Sequence, residues 1–436
     1  MTGPRQSGGS RFALSLGHGH SLGHGERHTG PDHRAPETGQ GSRETLGSRG
    51  RQRVRDAIAG SRAATTGASV RQFPDHLEFL KVYQPDTDSA PDLLDAVIVP
   101  TVRPARFLDE AATMASGCSR RLIVLCSREA RASEVLERLS GAKIDVVAID
   151  IPPGYWHETF DFSTAAEVFM RLSPVPVPRD LSLKRNLGLL MARLAGWKKV
   201  VFMDDDIYGI EPGGLLRASA ALDSNPISCF LVEAGDAVHD RLPTEDNSAV
   251  CHALRLAGRK QNVYASGSAL GVNCFEDLSF FPNIYNEDWF FMLRETERAA
   301  ITRVGFVKQR EYNPYIAARA RYEEFGDVLA EGLLAHLHLG ISKQPDVRYW
   351  QQFLEARRVL LREIRAGLQK SESQYAASAT KAIKASQRQL RLVTPDACVE
   401  YLKNFERDRR AWGRRLDALP PPTLDLEQAL SDLHLR

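Results

Sequence analysis

Three adjacent carboxylates, Asp204, Asp205 and Asp206, directly follow the apolar run at residues 200–203. Adjacent carboxylates repel one another, so burying even part of this triplet requires a compensating cation. Carboxylate oxygens that leave coordination positions open suit Mg²⁺ or Mn²⁺, which can also take phosphate oxygens. A cation held there would bridge a diphosphate and neutralise the charge that develops as the diphosphate departs. Taken alone, the triplet predicts either this metal site or a solvated acidic loop after a strand.

A second acidic pair, Glu287 and Asp288, begins a stretch with helical spacing and is followed by Trp289 and Phe290. The two aromatic rings would supply an apolar wall for a ring-shaped ligand, which favours a functional site. Acids in the first turn of a helix are also favoured by the helix dipole, without any catalytic duty. Both interpretations remain open at this point.

Predicted strands and helices position these acids. Helical patterns include one that carries Phe107 and Leu108 and another that begins at Asp180 or Ser182. They alternate with short apolar runs, which predict a mostly parallel sheet with helices on both faces. The triplet then lies at the carboxyl end of a parallel strand, where open α/β sheets bind ligands. The predicted strands are at residues 95–99, 122–126, 146–149, 200–203, 228–232 and 304–307.

Composition narrows the class of protein. The chain has 436 residues, 43% of them hydrophobic, which allows a large core. The net charge of +2 and the lack of a basic run mixed with aromatic residues exclude nucleic acid as the main partner. No run of about 18 apolar residues is present, so no transmembrane helix is predicted, and the N-terminus lacks the apolar segment of a signal peptide. Six scattered cysteines without a CxxC pair indicate reduced core thiols. We therefore expect a cytoplasmic enzyme.

Three segments of the chain differ in composition and in hydrophobic pattern. Residues 1–75 are rich in Gly, Ser, Arg and His and lack apolar periodicity, which predicts a disordered tail. Its histidines could bind a metal loosely, although a low-complexity tail is the simpler interpretation. Residues 76–340 contain the α/β pattern, and residues 341–436 form a charged, helical C-terminal extension.

The order of these motifs resembles a known family over roughly residues 95–340. The runs LSLKRNLG at 181–188 and VVFMDDD at 200–206 resemble the segment before and through the DxD motif of family-2 and related GT-A glycosyltransferases. The run VIVPT at 97–101 resembles the first strand of that fold, and together with the three Asp it is also similar to plant UDP-arabinopyranose mutases, the reversibly glycosylated polypeptides. The resemblance implies a GT-A α/β fold with a mostly parallel central sheet, helices on both faces and a helical C-terminal extension. It implies a glycosyltransferase that moves a hexosyl or pentosyl group from a nucleoside diphosphate sugar to a hydroxyl acceptor with Mn²⁺ or Mg²⁺. The alternatives are a nucleotide-sugar mutase and a non-catalytic GT-A-like binding protein.

The same resemblance implies roles for individual residues. Asp288, or as second choice Glu287, would be the general base that takes the proton of the acceptor hydroxyl. Asp204 and Asp206 would bind the metal together with His336, for which His338 is the alternative. Asp205 would lie nearer the ribose, and Glu129 or Asp150 would contact the base. The remaining residues implied in nucleotide-sugar binding are Pro100, Thr101, Arg103, Lys184, Arg185, Asn186, Asp204 and Gly267. For Lys184, Arg185 and Asn186, an exposed helical turn without a ligand is an equal alternative.

Overall fold

The computed structural model describes residues 75–84, 92–174, 180–211, 213–233, 247–260, 262–341 and 343–435. The predicted tail, residues 1–75, lies outside the described residues except for Asp75. The segment boundaries at 75/76 and 340/341 stay predictions. Within the described ranges the strands are β1 Leu80–Val82, β2 Ala96–Thr101, β3 Arg121–Cys126, β4 Asp145–Asp150, β5 Lys199–Met203, β6 Ile207–Tyr208, β7 Ile227–Val232, β8 Ala269–Asn273 and β9 Ile301–Gln309.

Most of these strands form one mixed sheet in the order β1-β9-β7-β8-β5-β2-β3-β4. The neighbours on both sides of β2 are parallel to it, with Ala96 opposite Val200 of β5 and Val97 opposite Leu122 of β3. Strand β8 is antiparallel to both β5 and β7. The short β6 pairs antiparallel with the end of β9. The central sheet flanked by helices is therefore as predicted, with five parallel and three antiparallel pairings among the described strands, and β1, β6 and β8 were not among the predicted strands.

Helices cover both faces of the sheet, as the alternating pattern predicts. Successive residues of β2 point to opposite faces, so Ile98 enters one hydrophobic cluster and Val97 and Val99 enter another. The helices are α1 Asp109–Ala115, α2 Ala132–Arg138, α3 Glu167–Leu172, α4 Leu181–Leu194, α5 Gly214–Ala221, α6 Ala249–Leu256, α7 Glu287–Glu297, α8 Ala317–His338, α9 Val347–Leu368, α10 Ala376–Leu390, α11 Pro395–Asp417 and α12 Leu426–Asp432. Short 3₁₀ turns lie at Leu77–Phe79, Ala105–Phe107, Glu158–Phe160 and Ser163–Ala165.

The helices after residue 341 share a core with the sheet. Trp350 of α9 and Trp412 of α11 are fully buried in the same cluster as Phe202 of β5. Burial of such large aromatic side chains contributes strongly to stability. These helices therefore pack as part of the same core.

Three smaller predictions concern the start of one helix, the state of the cysteines and membrane-spanning helices. The helix expected around Phe107 and Leu108 begins later, at Asp109, because Pro104 leads first into a 3₁₀ turn that ends at Phe107. All six cysteines are free thiols, as the scattered spacing predicts. Among the described residues no helix is long and apolar enough to cross a bilayer.

Candidate active site

A cleft of about 370 Å³ lies where strands β2 and β5 end side by side. The chain leaves β5 directly into Asp204, whose backbone N–H donates to the Ser268 carbonyl before β8. Helices α4 and α7 begin at the same opening and direct their first turns into it. The predicted residues that line the cleft are Pro100, Arg103, Lys184, Arg185, Asp204, Asp205, Asp206, Glu287 and Asp288.

The triplet Asp204–Asp206, here called the cleft trio, forms ion pairs with two arginines. Arg103 lies 2.7 Å from Asp205 Oδ1 and 3.0 Å from Asp206 Oδ2. Arg185 lies 2.9 Å from Asp204 Oδ1. Burial raises the pKa of Asp205, against the lowering effect of Arg103 and of a hydrogen bond from Thr101. The two guanidinium groups thus supply positive charge that three neighbouring carboxylates require.

Lys184 enters the cleft from the first turn of α4. Its ammonium group donates to the Thr101 carbonyl and to Ser127 Oγ, each at 2.7 Å, and lies 3.3 Å from Asp180. Burial lowers the pKa of Lys184, and the nearby Asp180 partly offsets that effect. Lys184 therefore ties the start of α4 to the ends of β2 and β3, beside the cleft trio.

Arg185 connects the two acidic groups that the sequence singles out. Its guanidinium donates to Glu287 Oε1 at 2.7 Å, to Asp204 Oδ1 at 2.9 Å and to the Gly267 carbonyl at 3.0 Å. Although burial lowers it, the pKa of Arg185 stays raised because Asp204 and Glu287 surround the group. A buried arginine in this position holds the end of β5 and the start of α7 together.

Gly267 and Asp288 form a tight contact at the floor of the cleft. The Gly267 N–H donates to Asp288 Oδ2 at 2.6 Å, and the Trp289 N–H donates to Asp288 Oδ1 at 2.9 Å. A Cβ at position 267 would lie 2.7 Å from Arg185 Nη1 and 2.8 Å from Asp288 Cβ, so a larger residue does not fit. Burial raises the pKa of Asp288, while Arg185 and the backbone N–H groups lower it. A raised pKa suits a carboxylate that must accept a proton near neutral pH.

The side chains as arranged do not fit a divalent cation. Within the described ranges no group of three or more His, Cys, Asp and Glu side chains is placed to hold a metal ion. Arginines occupy the positions next to the cleft trio. His336, expected as a metal ligand, lines a second cavity and contacts the Tyr349 ring edge to face. His338 lies 2.9 Å from the Asp75 carbonyl and 3.2 Å from Glu78. The expectation that α8 brings either histidine to the cleft trio is therefore corrected.

Two further predicted residues lie away from the cleft. Glu129 is exposed and does not line the cleft. The residue before it, Arg128, adopts a left-handed conformation at φ 58° and lines the cleft. Asn186 is buried, and its amide donates to the Phe281 carbonyl and accepts from the Phe281 N–H. Asn186 thus fixes α4 to a neighbouring loop instead of facing a ligand. Asp150, the alternative to Glu129, accepts from the Ala132 N–H at the start of α2.

The sequence does not predict the opposite wall of the cleft. Tyr312 and Arg319 line it, with the Arg319 guanidinium 4.6 Å from the centre of the Tyr312 ring. Arg319 also pairs with Glu323 one helical turn later. The spacing of four between Arg319 and Glu323 was the available signal, but it indicates a helical ion pair equally well. Other lining residues that the sequence did not single out are Asn247, Tyr264, Tyr285 and Gln309.

Comparison with known proteins gives a limited likeness. No protein-family model and no curated protein matches the chain. Among solved structures the chain is similar to mannose-1-phosphate geranyltransferase from Thermus thermophilus, with 11% identity and a TM-score of 0.27 over 58% of this chain and 69% of that chain. It is also similar to core-mannan synthase A from Aspergillus fumigatus in its Mn/GDP form, with 9% identity and a TM-score of 0.22 over 54% and 72% of the two chains. Neither is named as a mutase. Both TM-scores are low, so the assignment of function depends on the side chains of the cleft.

Proposed function

We propose that the cleft transfers a sugar from a nucleoside diphosphate sugar to a hydroxyl acceptor. The observation that carries the proposal is the pairing, in one cleft, of a strand-end acidic trio and its cations with a second carboxylate pair at the start of α7. Such a site offers charge partners for a diphosphate on one side and a proton acceptor on the other. The GT-A resemblance of the sequence gives the same division of roles.

The donor side of the proposal rests on Arg103, and Lys184 holds the ends of β2 and β3 beside it. Arg103 is the more accessible, with 36% of its side chain exposed, and it lies beside Asp205 and Asp206. Its planar guanidinium suits the oxygens of a diphosphate, whose charge grows as the glycosidic bond breaks. Arg185 is too enclosed to exchange partners freely, so we assign it to positioning Asp204 and Glu287.

The acceptor side rests on Asp288. Its carboxylate is buried at the cleft floor, has a raised pKa and lies next to Trp289, whose ring is 4.6 Å from that of Tyr264. The aromatic pair would provide the apolar wall against which a sugar packs. In this role Asp288 takes the proton of the acceptor hydroxyl as the oxygen attacks the anomeric carbon. Glu287, paired with Arg185, holds the start of α7.

A divalent cation, expected as Mn²⁺ or Mg²⁺, stays a separate part of the proposal. The cleft trio carries the oxygen ligands that such ions prefer, but its present partners are arginines. We therefore assign no step to a metal. Its involvement is decided by the same assay run with added Mn²⁺ and with a chelator.

The primary test is release of nucleoside diphosphate from a panel of nucleotide sugars, with and without hydroxyl acceptors. We expect at least one donor to be turned over, and the same donor to raise the melting temperature of the protein. Conversion of the donor to another ring form without an acceptor would support a mutase instead. Binding without turnover of any donor would leave a non-catalytic binding protein and refute the transferase.

Replacement of the proposed base separates binding from chemistry. Asp288→Asn keeps the size and polarity of the side chain but cannot accept the proton, so turnover should fall by about 10²- to 10⁴-fold. Donor affinity should persist, because it depends on the opposite side of the cleft. Glu287→Gln is the matched control and should cost less. Near-normal transfer by Asp288→Asn would remove Asp288 from the role.

A further inference from the structure

Helix α11 exposes a straight row of four cations. Lys403, Arg407, Arg410 and Arg414 are all exposed and are spaced at i, i+4, i+7 and i+11. At this spacing they lie within an arc of about 60° and extend over about 16 Å of the helix. We refer to these four residues as the cationic row.

No acid among the described residues forms an ion pair with the row. The pairs found on the C-terminal helices join other residues, and none includes a member of the row. Glu406 pairs instead with Arg409, and Asp408 is buried and accepts from the Thr164 N–H. Like charges one helical turn apart repel one another, so the row costs the isolated helix some stability. It is therefore either a solvated face or a surface for a partner of opposite charge.

A cavity with an apolar floor adjoins the row. The cavity has a volume of about 380 Å³, and Gln344 and Glu406 line both it and the hollow along the row. Arg298 and Lys343 stand at its rim. Burial lowers the pKa of His336 in its wall, which favours the neutral ring. The floor is formed by Phe290, Leu293, Leu333, Leu337, Leu402 and Phe405.

Apolar side chains beside this cavity remain open to solvent. Leu339 and Ile341, in the connection from α8 to α9, are each 47% exposed, and Val347 at the start of α9 is 41% exposed. Ile341 also lines the cavity. Exposed aliphatic residues grouped at a cationic surface mark a contact site more often than single exposed ones do.

The C-terminal region is basic, in contrast to the α/β region. Residues 341–436 contain 18 Lys and Arg against 12 Asp and Glu, a net charge of +6, whereas residues 76–340 contain 28 against 37, a net charge of −9. Residues 1–75 contain 11 Arg against 6 Asp and Glu. A partner of negative charge would be attracted to the C-terminal helices in preference to residues 76–340.

We propose that the cationic row and the exposed residues Leu339 and Ile341 dock the protein on an anionic lipid bilayer. The row would lie along the phosphate headgroups, and the two aliphatic side chains would enter the interface. Nucleic acid would use the charges but gives no reason for exposed aliphatic residues next to them. The proposal does not depend on the chemistry assigned to the cleft.

The test is sedimentation of the full chain with vesicles of phosphatidylcholine alone and of phosphatidylcholine with phosphatidylserine. We expect binding to the anionic vesicles, weakening as salt is raised. Replacement of all four cations of the row with Gln should lower the partition coefficient by about tenfold or more. Leu339→Asn with Ile341→Asn keeps the net charge and should lower it as well, which a purely electrostatic contact does not predict.

Helix α10 offers a matched control. Lys381, Lys384, Arg388 and Arg391 are also four exposed cations at helical spacing, but none lines the hollow that adjoins the apolar cavity, as all four members of the row do. Their replacement with Gln removes the same charge and should change partition by no more than about twofold. An equal loss from both sets would show general electrostatic attraction and overturn the proposal. Equal binding to neutral vesicles, or binding to a DNA duplex without binding to anionic vesicles, would also overturn it.

Discussion

Two groups of three carboxylates in this protein have opposite surroundings. The cleft trio faces an open cleft and shares two arginines, Arg103 and Arg185. The second group, here called the buried trio, comprises Glu324, Asp327 and Glu331 of α8. All three contact Arg357 of α9, at 3.1, 3.0 and 2.7 Å respectively. Both groups consist of carboxylates paired with arginine, so we compare their access to solvent and their charge balance.

Access separates the two groups most clearly. Every side chain of the buried trio and Arg357 is at most 3% exposed, whereas Asp204 is 18% and Arg103 36% exposed. A ligand phosphate can reach Arg103 and compete for its hydrogen bonds. It cannot reach Arg357. The same kind of arginine–carboxylate ion pair is therefore a candidate binding group in the cleft and a structural contact in the core.

The negative charge of the carboxylates is balanced differently in the cleft trio and in the buried trio. In the cleft two arginines lie beside the three carboxylates, and Arg185 is also paired with Glu287. In the core, burial together with like charge raises the pKa of Asp327 to about 7, and burial raises the pKa of Glu324 to about 7. Burial also raises the pKa of Glu331. Bound protons thus take the place of the second cation, since three ionised acids around one arginine would be too costly to bury.

The largest expected effect comes from removing the shared cation of the buried trio. Arg357→Met keeps the length of the side chain but leaves the three acids without their cation, which should lower the free energy of unfolding by about 3–5 kcal/mol. Urea unfolding measures the change. The matched variant Arg103→Met should cost far less stability, because water can solvate the cleft trio. Equal losses from the two variants would remove the distinction between the groups.

The second effect is on binding in the cleft. Arg103→Met should weaken the affinity for a nucleoside diphosphate by about 10- to 100-fold, as expected for the loss of hydrogen bonds to a charged group. Its free energy of unfolding should change by less than about 1 kcal/mol, since the pair is partly exposed. Calorimetric titration with the diphosphate gives the affinity. Unchanged affinity would show that Arg103 only neutralises the acids beside it.

Sequence alone predicted the elements that carry the cleft trio but not its partners. Short apolar runs identified the strands that end at Thr101 and Met203, because a buried parallel strand has to be continuously apolar. Strand β8 was missed, since Ala269, Gly271 and Asn273 have low strand propensity and are held by pairing to β5 and β7. Pairing between distant segments is not encoded in local spacing.

The buried trio shows the same limit. Glu324, Asp327 and Glu331 share one helical face, but nothing in their spacing indicates that Arg357, on the next helix, will enclose them. For the same helix, α8, the sequence resemblance implied instead that His336 binds a metal. Helical periodicity restricts which side chains share a face, but tertiary packing decides which cavity that face meets.

The third prediction concerns pH. Because the folded-state pKa values of Glu324 and Asp327 are raised above their ordinary values, the folded protein binds protons more tightly than the unfolded chain. Their contribution to stability is therefore fully present below about pH 4 and is lost as pH rises through about 7. Urea unfolding across this range should show a smaller decline in Asp327→Asn than in the unmodified protein. An identical decline in both would mean that the buried trio is fully ionised.

The smallest expected effect tests whether the buried trio is coupled through Asn286 to the pair Glu287 and Asp288. Asn286 precedes α7 in a left-handed conformation at φ 63°, and its amide donates to Asp327 Oδ1 at 3.1 Å. Next to it, a Cβ at Gly326 would lie 2.2 Å from the Tyr285 carbonyl oxygen, so α8 and this turn are in close contact. The buried trio thus touches the residue that sets the direction of Glu287 and Asp288.

Asn286→Gly keeps the left-handed backbone and removes the side chain, which donates to Asp327 and lines the cleft. We expect a loss of about 1 kcal/mol in the free energy of unfolding and a roughly threefold to tenfold fall in kcat, because a loosened turn misplaces Asp288. KM for the donor should stay the same, since the donor side of the cleft is untouched. Asn286→Ala adds the cost of a left-handed non-glycine residue, about 1–2 kcal/mol, and should be worse in both measurements. An Asn286→Gly variant with unchanged kcat would show that the buried trio stabilises the fold without positioning the proposed base.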